Sequence, residues 1–142
     1  MSTQNYSNHR RFVVVYHQIL LPALLILLIG SFVNLFTCTP GNCYSASLIC
    51  FASLLICVIA YYLRMFPLGT QDRVIRAEEN LRYYVLTGKL LPAGIRMGQV
   101  IALRFAPDEE LEALVNRALN ENLSPNEIKK AIKNWKGDYN RI

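Results

Sequence analysis

The chain has 142 residues, 53% of them apolar, and a formal net charge of +5. That average conceals two unlike parts: residues 12–63 contain no Asp, Glu, Lys or Arg, whereas all 10 acids and all but Arg10 and Arg11 of the 15 bases lie beyond them. Such a run excludes an ordinary soluble domain, a disordered tail and a secreted disulfide miniprotein, and the roughly 80 residues outside it bury too little for a large enzyme core.

A bilayer core about 30 Å thick needs roughly 20 apolar residues of helix. The uncharged run supplies two such stretches, about 12–36 and about 44–63. Pro40-Gly41-Asn42 in the segment 37–43 is turn chemistry, and seven residues suffice to join antiparallel helices. The pattern predicts a transmembrane hairpin over 12–66. The first stretch is long for a cleaved signal peptide, and a second follows at once. Arg10 and Arg11 flank the first span, Arg64, Arg73 and Arg76 follow the second, and the loop has no base. Basic residues stay on the cytoplasmic side, so both termini should face the cytoplasm and the loop outward. Tyr16, Phe36, Tyr44, Tyr61, Tyr62 and Phe66 fall near the expected edges, where amphipathic rings settle. His17 and Gln18 read as interfacial residues, with proton handling the alternative.

Ala46, Cys50, Ser53, Cys57 and Ala60 recur every three or four positions and form one small-residue stripe on the second span. Close packing along small residues favours helix pairing in lipid. Ala23, Leu27, Gly30 and Asn34 form a comparable face on the first span, and the two faces are expected to meet, with contact to another subunit as the alternative. Cys38 and Cys43 could close the loop as a disulfide if its side is oxidising, whereas a free pair would look the same in sequence.

Beyond the spans, residues 67–142 read as a cytoplasmic helical domain, and 1–11 as a cytoplasmic N-terminal segment. Thr70 can cap a helix that starts at Gln71 and ends before Thr87-Gly88, with an apolar face of Val74, Ala77, Leu81, Tyr84 and Val85. Asp72 with Arg76, and Glu78 with Arg82, are four apart in the favourable order. Because acids nearly balance bases there, the polar face reads as a solvated surface laced with salt bridges, with the alternative that the helix lies along the bilayer and sets its arginines on anionic headgroups. The short apolar stretch 98–105 reads as helix. A further helix should run from about 107 to 120, with acids in its first turns and Leu111, Leu114, Val115 and Ala118 buried. Ser124, Pro125 and Glu127 combine an N-cap, a first-turn proline and a capping box. The helix they start should bury Ile128, Ala131, Ile132 and Trp135. The fold class is therefore all-α: a helical hairpin in the membrane, then a small bundle.

Gly-rich phosphate loops, nucleophile elbows and metal-ligand clusters are all missing from the sequence, so no catalytic residue, cofactor or metal is expected. His9, Arg10, Arg11, Arg73, Arg76 and Arg104 could gather at the inner membrane face and hold an anion or a headgroup. The Ser124 helix faintly resembles part of a helix-turn-helix, but the modest charge argues against nucleic acid. The expected partners are the lipid bilayer and either another protein or a second copy of the chain.

The order Gln4-Asn5-Tyr6-Ser7-Asn8-His9-Arg10-Arg11, two spans, the run Gln71-Asp72-Arg73-Val74-Ile75-Arg76-Ala77-Glu78-Glu79-Asn80-Leu81-Arg82, then Ile101-Ala102-Leu103-Arg104-Phe105 and Lys129-Lys130-Ala131-Ile132-Lys133-Asn134-Trp135, resembles a family of small bacterial inner-membrane proteins of unknown function. The resemblance covers nearly the whole chain. It implies a bacterial membrane location and supplies no activity, cofactor or catalytic residue. The loop cysteines are not part of its pattern.

Overall fold

The computed structural model describes residues 4–8 and 12–138. Among these, all regular structure is helical. A π-helical turn, Val15–Leu20, leads into α1, Leu21–Phe36. There follow α2, Cys43–Thr87, α3, Met97–Leu103, α4, Asp108–Asn120, and α5, Pro125–Ala131. The chain divides into two compact units, one of Phe12–Pro67 and one combining the N-terminal residues with those from Leu68 onward. α2 contributes to both.

Pro22 sits in the first turn of α1, directly after the π turn. Proline donates no backbone hydrogen bond, and its ring crowds the carbonyl four residues back. The wider turn relieves that crowding, with the Leu21 amide donating to Tyr16 O. Pro67 lies inside α2, which runs on for 45 residues. The expected new start at Thr70 is therefore corrected: α2 simply continues. A proline forfeits one hydrogen bond, and long helical segments on both sides absorb that loss without a fresh cap.

In the first unit, Ala46, Cys50, Ser53 and Ala60 of α2 are buried and Cys57 is half-buried. Ser53 Oγ lies 2.8 Å from Ser31 Oγ, and Tyr16 Oη donates to Ala60 O at 3.0 Å. The side of α1 that is turned inward carries Leu24, Leu28, Ser31 and Leu35. Ala23, Leu27, Gly30 and Asn34 are exposed, which corrects the expected face. The physical reason is complementarity of size. Leucines fill the hollows that a small-residue stripe leaves, whereas two small faces would leave voids.

The second unit has its own core of Ile75, Tyr83, Ile95, Val100, Leu103, Leu111, Leu114, Val115, Ala118 and Ile128. α4 buries Leu111, Leu114, Val115 and Ala118, one stripe at helical spacing. α2 enters this core with Ile75, Glu79 and Tyr83. The apolar face read from the sequence, Val74, Ala77, Leu81, Tyr84 and Val85, is exposed instead. α2 ends at a left-handed Gly88, and Asn80 Oδ1 accepts from the Leu91 amide at 2.8 Å, tying down the chain that follows. α5 stops at Ala131, so Ile132 and Trp135 leave the helix. Trp135 reaches the core from an irregular segment, stacked on Phe105 at 4.6 Å between ring centroids.

Candidate functional site

Arg82, absent from the sequence-derived site, makes three side-chain hydrogen bonds within the second unit. Its Nη1 donates to Glu79 Oε2 at 3.0 Å and its Nε to Asp108 Oδ1 at 2.6 Å. Its Nη2 reaches the Ala106 carbonyl at 2.7 Å. Glu79, not Glu78, is therefore the glutamate it pairs with. The guanidinium bonded to Asp108 holds that carboxyl below its ordinary value. Asp108 also opens α4, where an anion meets the helix dipole favourably. This fork pins α2 to the start of α4.

Three further polar clasps organise the tail. Gln99 is buried; its Oε1 accepts from the Arg96 amide at 2.8 Å and its Nε2 donates to Leu123 O at 2.9 Å. Glu110 accepts from the backbone amides of Lys133 and Asn134, each at 3.0 Å, and so fixes the segment that carries Trp135. Ser124 and Glu127 form the capping box in both directions, at 3.3 and 2.7 Å. The bonds with Ser124 keep the Glu127 carboxyl below its ordinary value. On the surface, Arg117 does the same to Glu121, and its own value is raised in return.

Three of the six residues of the expected anion cluster, Arg73, Arg76 and Arg104, fall among the described residues. Arg104 pairs with Asp138 at 2.6 Å, and both side chains are largely buried. Asp138 in turn donates its amide to Gln4 Oε1 at 2.6 Å, which joins the N-terminal residues to the tail. Arg73 and Arg76 are exposed on α2. His9, Arg10 and Arg11 lie outside the described residues. Lys129 stands over the Phe105 ring at 5.6 Å and Lys130 over Tyr6 at 6.0 Å, both in cation–π range. His17, with Nδ1 2.9 Å from Val13 O, is flanked by the rings of Phe12 and Tyr16. Cys38 and Cys43 are joined as a disulfide with Cα atoms 5.2 Å apart; Cys50 and Cys57 are free thiols. Among the described residues, no group of three or more His, Cys, Asp or Glu side chains could hold a metal ion.

Sequence reasoning missed Arg82, Glu79 and Gln99 because it took the wrong face of α2 as buried and gave α3 no polar anchor. The available signal was the phase of Ile75, Glu79 and Tyr83, which share a face at spacings of four.

The two long apolar helices are the feature that classifies the molecule. Val15–Phe36 and Cys43–Thr87 are each long and apolar enough to cross a membrane. The chain is thus an all-helical protein with two helices of spanning length and a helical unit that packs a core of its own. It belongs to a family of unknown function (DUF6526), matched over residues 1–142. No curated protein and no solved structure matches it.

Proposed function

We propose that the chain is an integral protein of a bacterial inner membrane, a non-enzymatic accessory or scaffold whose tail docks a partner or its own copy. One observation carries the membrane part: only 6% of the most apolar window of Val15–Phe36 is buried within the protein. Ile26, Ile29, Val33 and Phe36 project outward without cover. Water would make that surface costly at about 25 cal/mol per Å², whereas lipid tails accept it. In this reading the two helices form an antiparallel hairpin, closed at the Cys38–Cys43 loop, with both termini and the second unit cytoplasmic.

The scaffold part is supported by the chemistry of the tail. Asp108, Glu110 and Glu127 are spent on an ion pair, a backbone clasp and a helix cap, and Arg82 and Arg104 are committed to partners. The experiment is fractionation of cells producing the full chain with a tag after Ile142. Retention in membranes washed with alkaline carbonate, with the tag protected in intact cells, supports the reading. Release into the wash, or a tag cleaved from outside, overturns it.

A further inference from the structure

The helix that enters the tail core does so with one face and leaves the opposite face uncovered. Val74, Leu81 and Tyr84 are 50%, 64% and 52% exposed, and Thr70 and Ala77 are exposed as well. The order 70, 74, 77, 81, 84 advances by four, three, four and three, the seam spacing of a coiled coil. We propose that a second copy of this chain packs against that seam, with the two α2 helices parallel.

Charge on the flanks selects this occupant. Arg73 immediately precedes the seam residue Val74, and Glu78 immediately follows the seam residue Ala77. They border the seam on opposite sides, five positions apart. In a parallel pair, such flanking residues meet across the interface, each with the one five positions along the other helix. Arg73 of each copy therefore faces Glu78 of the other, twice by symmetry, as a closed two-fold contact requires. Both side chains are exposed, and among the described residues neither has an ion-pair partner within the chain. A bilayer surface fits less well, since a helix lying on anionic lipid is basic along its polar face and Glu78 would border the contact. The parallel arrangement rests on the membrane reading above, because insertion with one topology fixes the direction of both helices.

The test uses the full chain in isolated membranes, with an oxidant to form disulfides. Leu81→Cys and Ala77→Cys are expected to yield a crosslinked dimer. Arg76→Cys, exposed but off the seam, is expected to stay at the wild-type background set by Cys50 and Cys57. Arg73→Glu and Glu78→Arg, each added to Leu81→Cys, should reduce the crosslink, and the two together should restore it. No dimer from Leu81→Cys, equal crosslinking from Arg76→Cys, or failure of the paired reversal to restore overturns the proposal. If the single Arg73→Glu change instead abolishes binding of the purified chain to anionic vesicles, with no effect on crosslinking, the seam faces lipid and the proposal fails. Membrane retention, measured on the same samples, separates failure of the seam from failure of the membrane reading. Circular dichroism of each variant confirms that the helices persist.

Discussion

Arg82 and Asp108 are 26 residues apart in the chain and joined side chain to side chain, Nε to Oδ1 at 2.6 Å, with Glu79 on the guanidinium's other edge. The two carboxylates are not equivalent. The Glu79 side chain is 9% exposed and that of Asp108 is 53% exposed. Arg82→Ala strands a buried carboxylate and the Ala106 carbonyl, and is expected to cost about 2–4 kcal/mol of tail stability. Asp108→Asn keeps the shape and loses a half-solvated charge, for about 0–1 kcal/mol. Thermal unfolding followed by Trp135 fluorescence tests the ranking; equal losses would show that the fork does not hold the tail.

Acid should loosen the same unit. Asp108, Glu121 and Glu127 all have carboxyls below their ordinary values because their charged forms accept hydrogen bonds from Arg82, Arg117 and Ser124. A depressed native value means the unfolded chain takes up protons first. The stabilisation is therefore complete above the unfolded carboxylate range, about pH 4, and drains away as pH falls through the lower native values. The tail's melting temperature is expected to be flat with respect to these three groups from pH 7 to about pH 5, and to fall below about pH 4. In Glu127→Gln the acid decline should be shallower. A decline beginning near neutrality would assign the dependence to other groups.

Phe105 is fully buried and stacks on Trp135, the single tryptophan of the chain. Phe105→Ala is expected to cost about 3–5 kcal/mol and to move the tryptophan emission to longer wavelength as water reaches the indole. Unchanged emission would mean that the two rings are not in contact.

How much of this was legible in sequence depended on whether one segment could decide the matter alone. α4 was, because Leu111, Leu114, Val115 and Ala118 are the one apolar stripe of a short helix with acids at its start. The Ser124–Glu127 cap was as well, since both partners lie within one turn. α2 was not. Its tail segment has two apolar stripes, one through Ile75 and Tyr83 and one through Val74 and Leu81, and periodicity cannot say which meets the core. α1 misled for a related reason: small residues mark where backbones can approach, yet Leu24 and Leu28 fill the α2 stripe better than Ala23 and Gly30. The Arg82–Asp108 and Arg104–Asp138 pairs join residues distant in sequence, so only the folded chain brings them together.

The loop disulfide offers a test of orientation in the proposed topology. With Cys38 bonded to Cys43 and the loop outside, an impermeant maleimide should leave intact cells unlabelled until a reductant is added, and should then label the loop. Cys38→Ser with Cys43→Ser should remove that signal, because Cys50 is buried and Cys57 half-buried in the helix packing. Labelling only after cell lysis would place the loop on the cytoplasmic side.

Ser31 and Ser53 make a polar contact within the apolar helix pair, Oγ to Oγ at 2.8 Å, and each Oγ also lies 2.8 Å from a carbonyl three residues back on its own helix, so one hydroxyl donates across the pair while the other donates to its own carbonyl. Those local bonds mean that removing one hydroxyl leaves the other satisfied. Ser53→Ala is accordingly expected to cost under about 1 kcal/mol, in keeping with interhelical hydrogen bonds in membranes. Size matters more here than polarity. Ser53, 2% exposed and 2.8 Å from Ser31, has no room for a larger side chain, so Ser53→Leu is expected to cost about 1–3 kcal/mol. Gly30→Leu and Ala23→Leu should be nearly neutral, since nothing lies within 4 Å of a Cβ built on Gly30 and Ala23 is exposed. Thermal unfolding of the full chain in mild detergent separates these outcomes. Loss of stability in Gly30→Leu equal to that in Ser53→Leu would mean that the opposite face of α1 makes the contact.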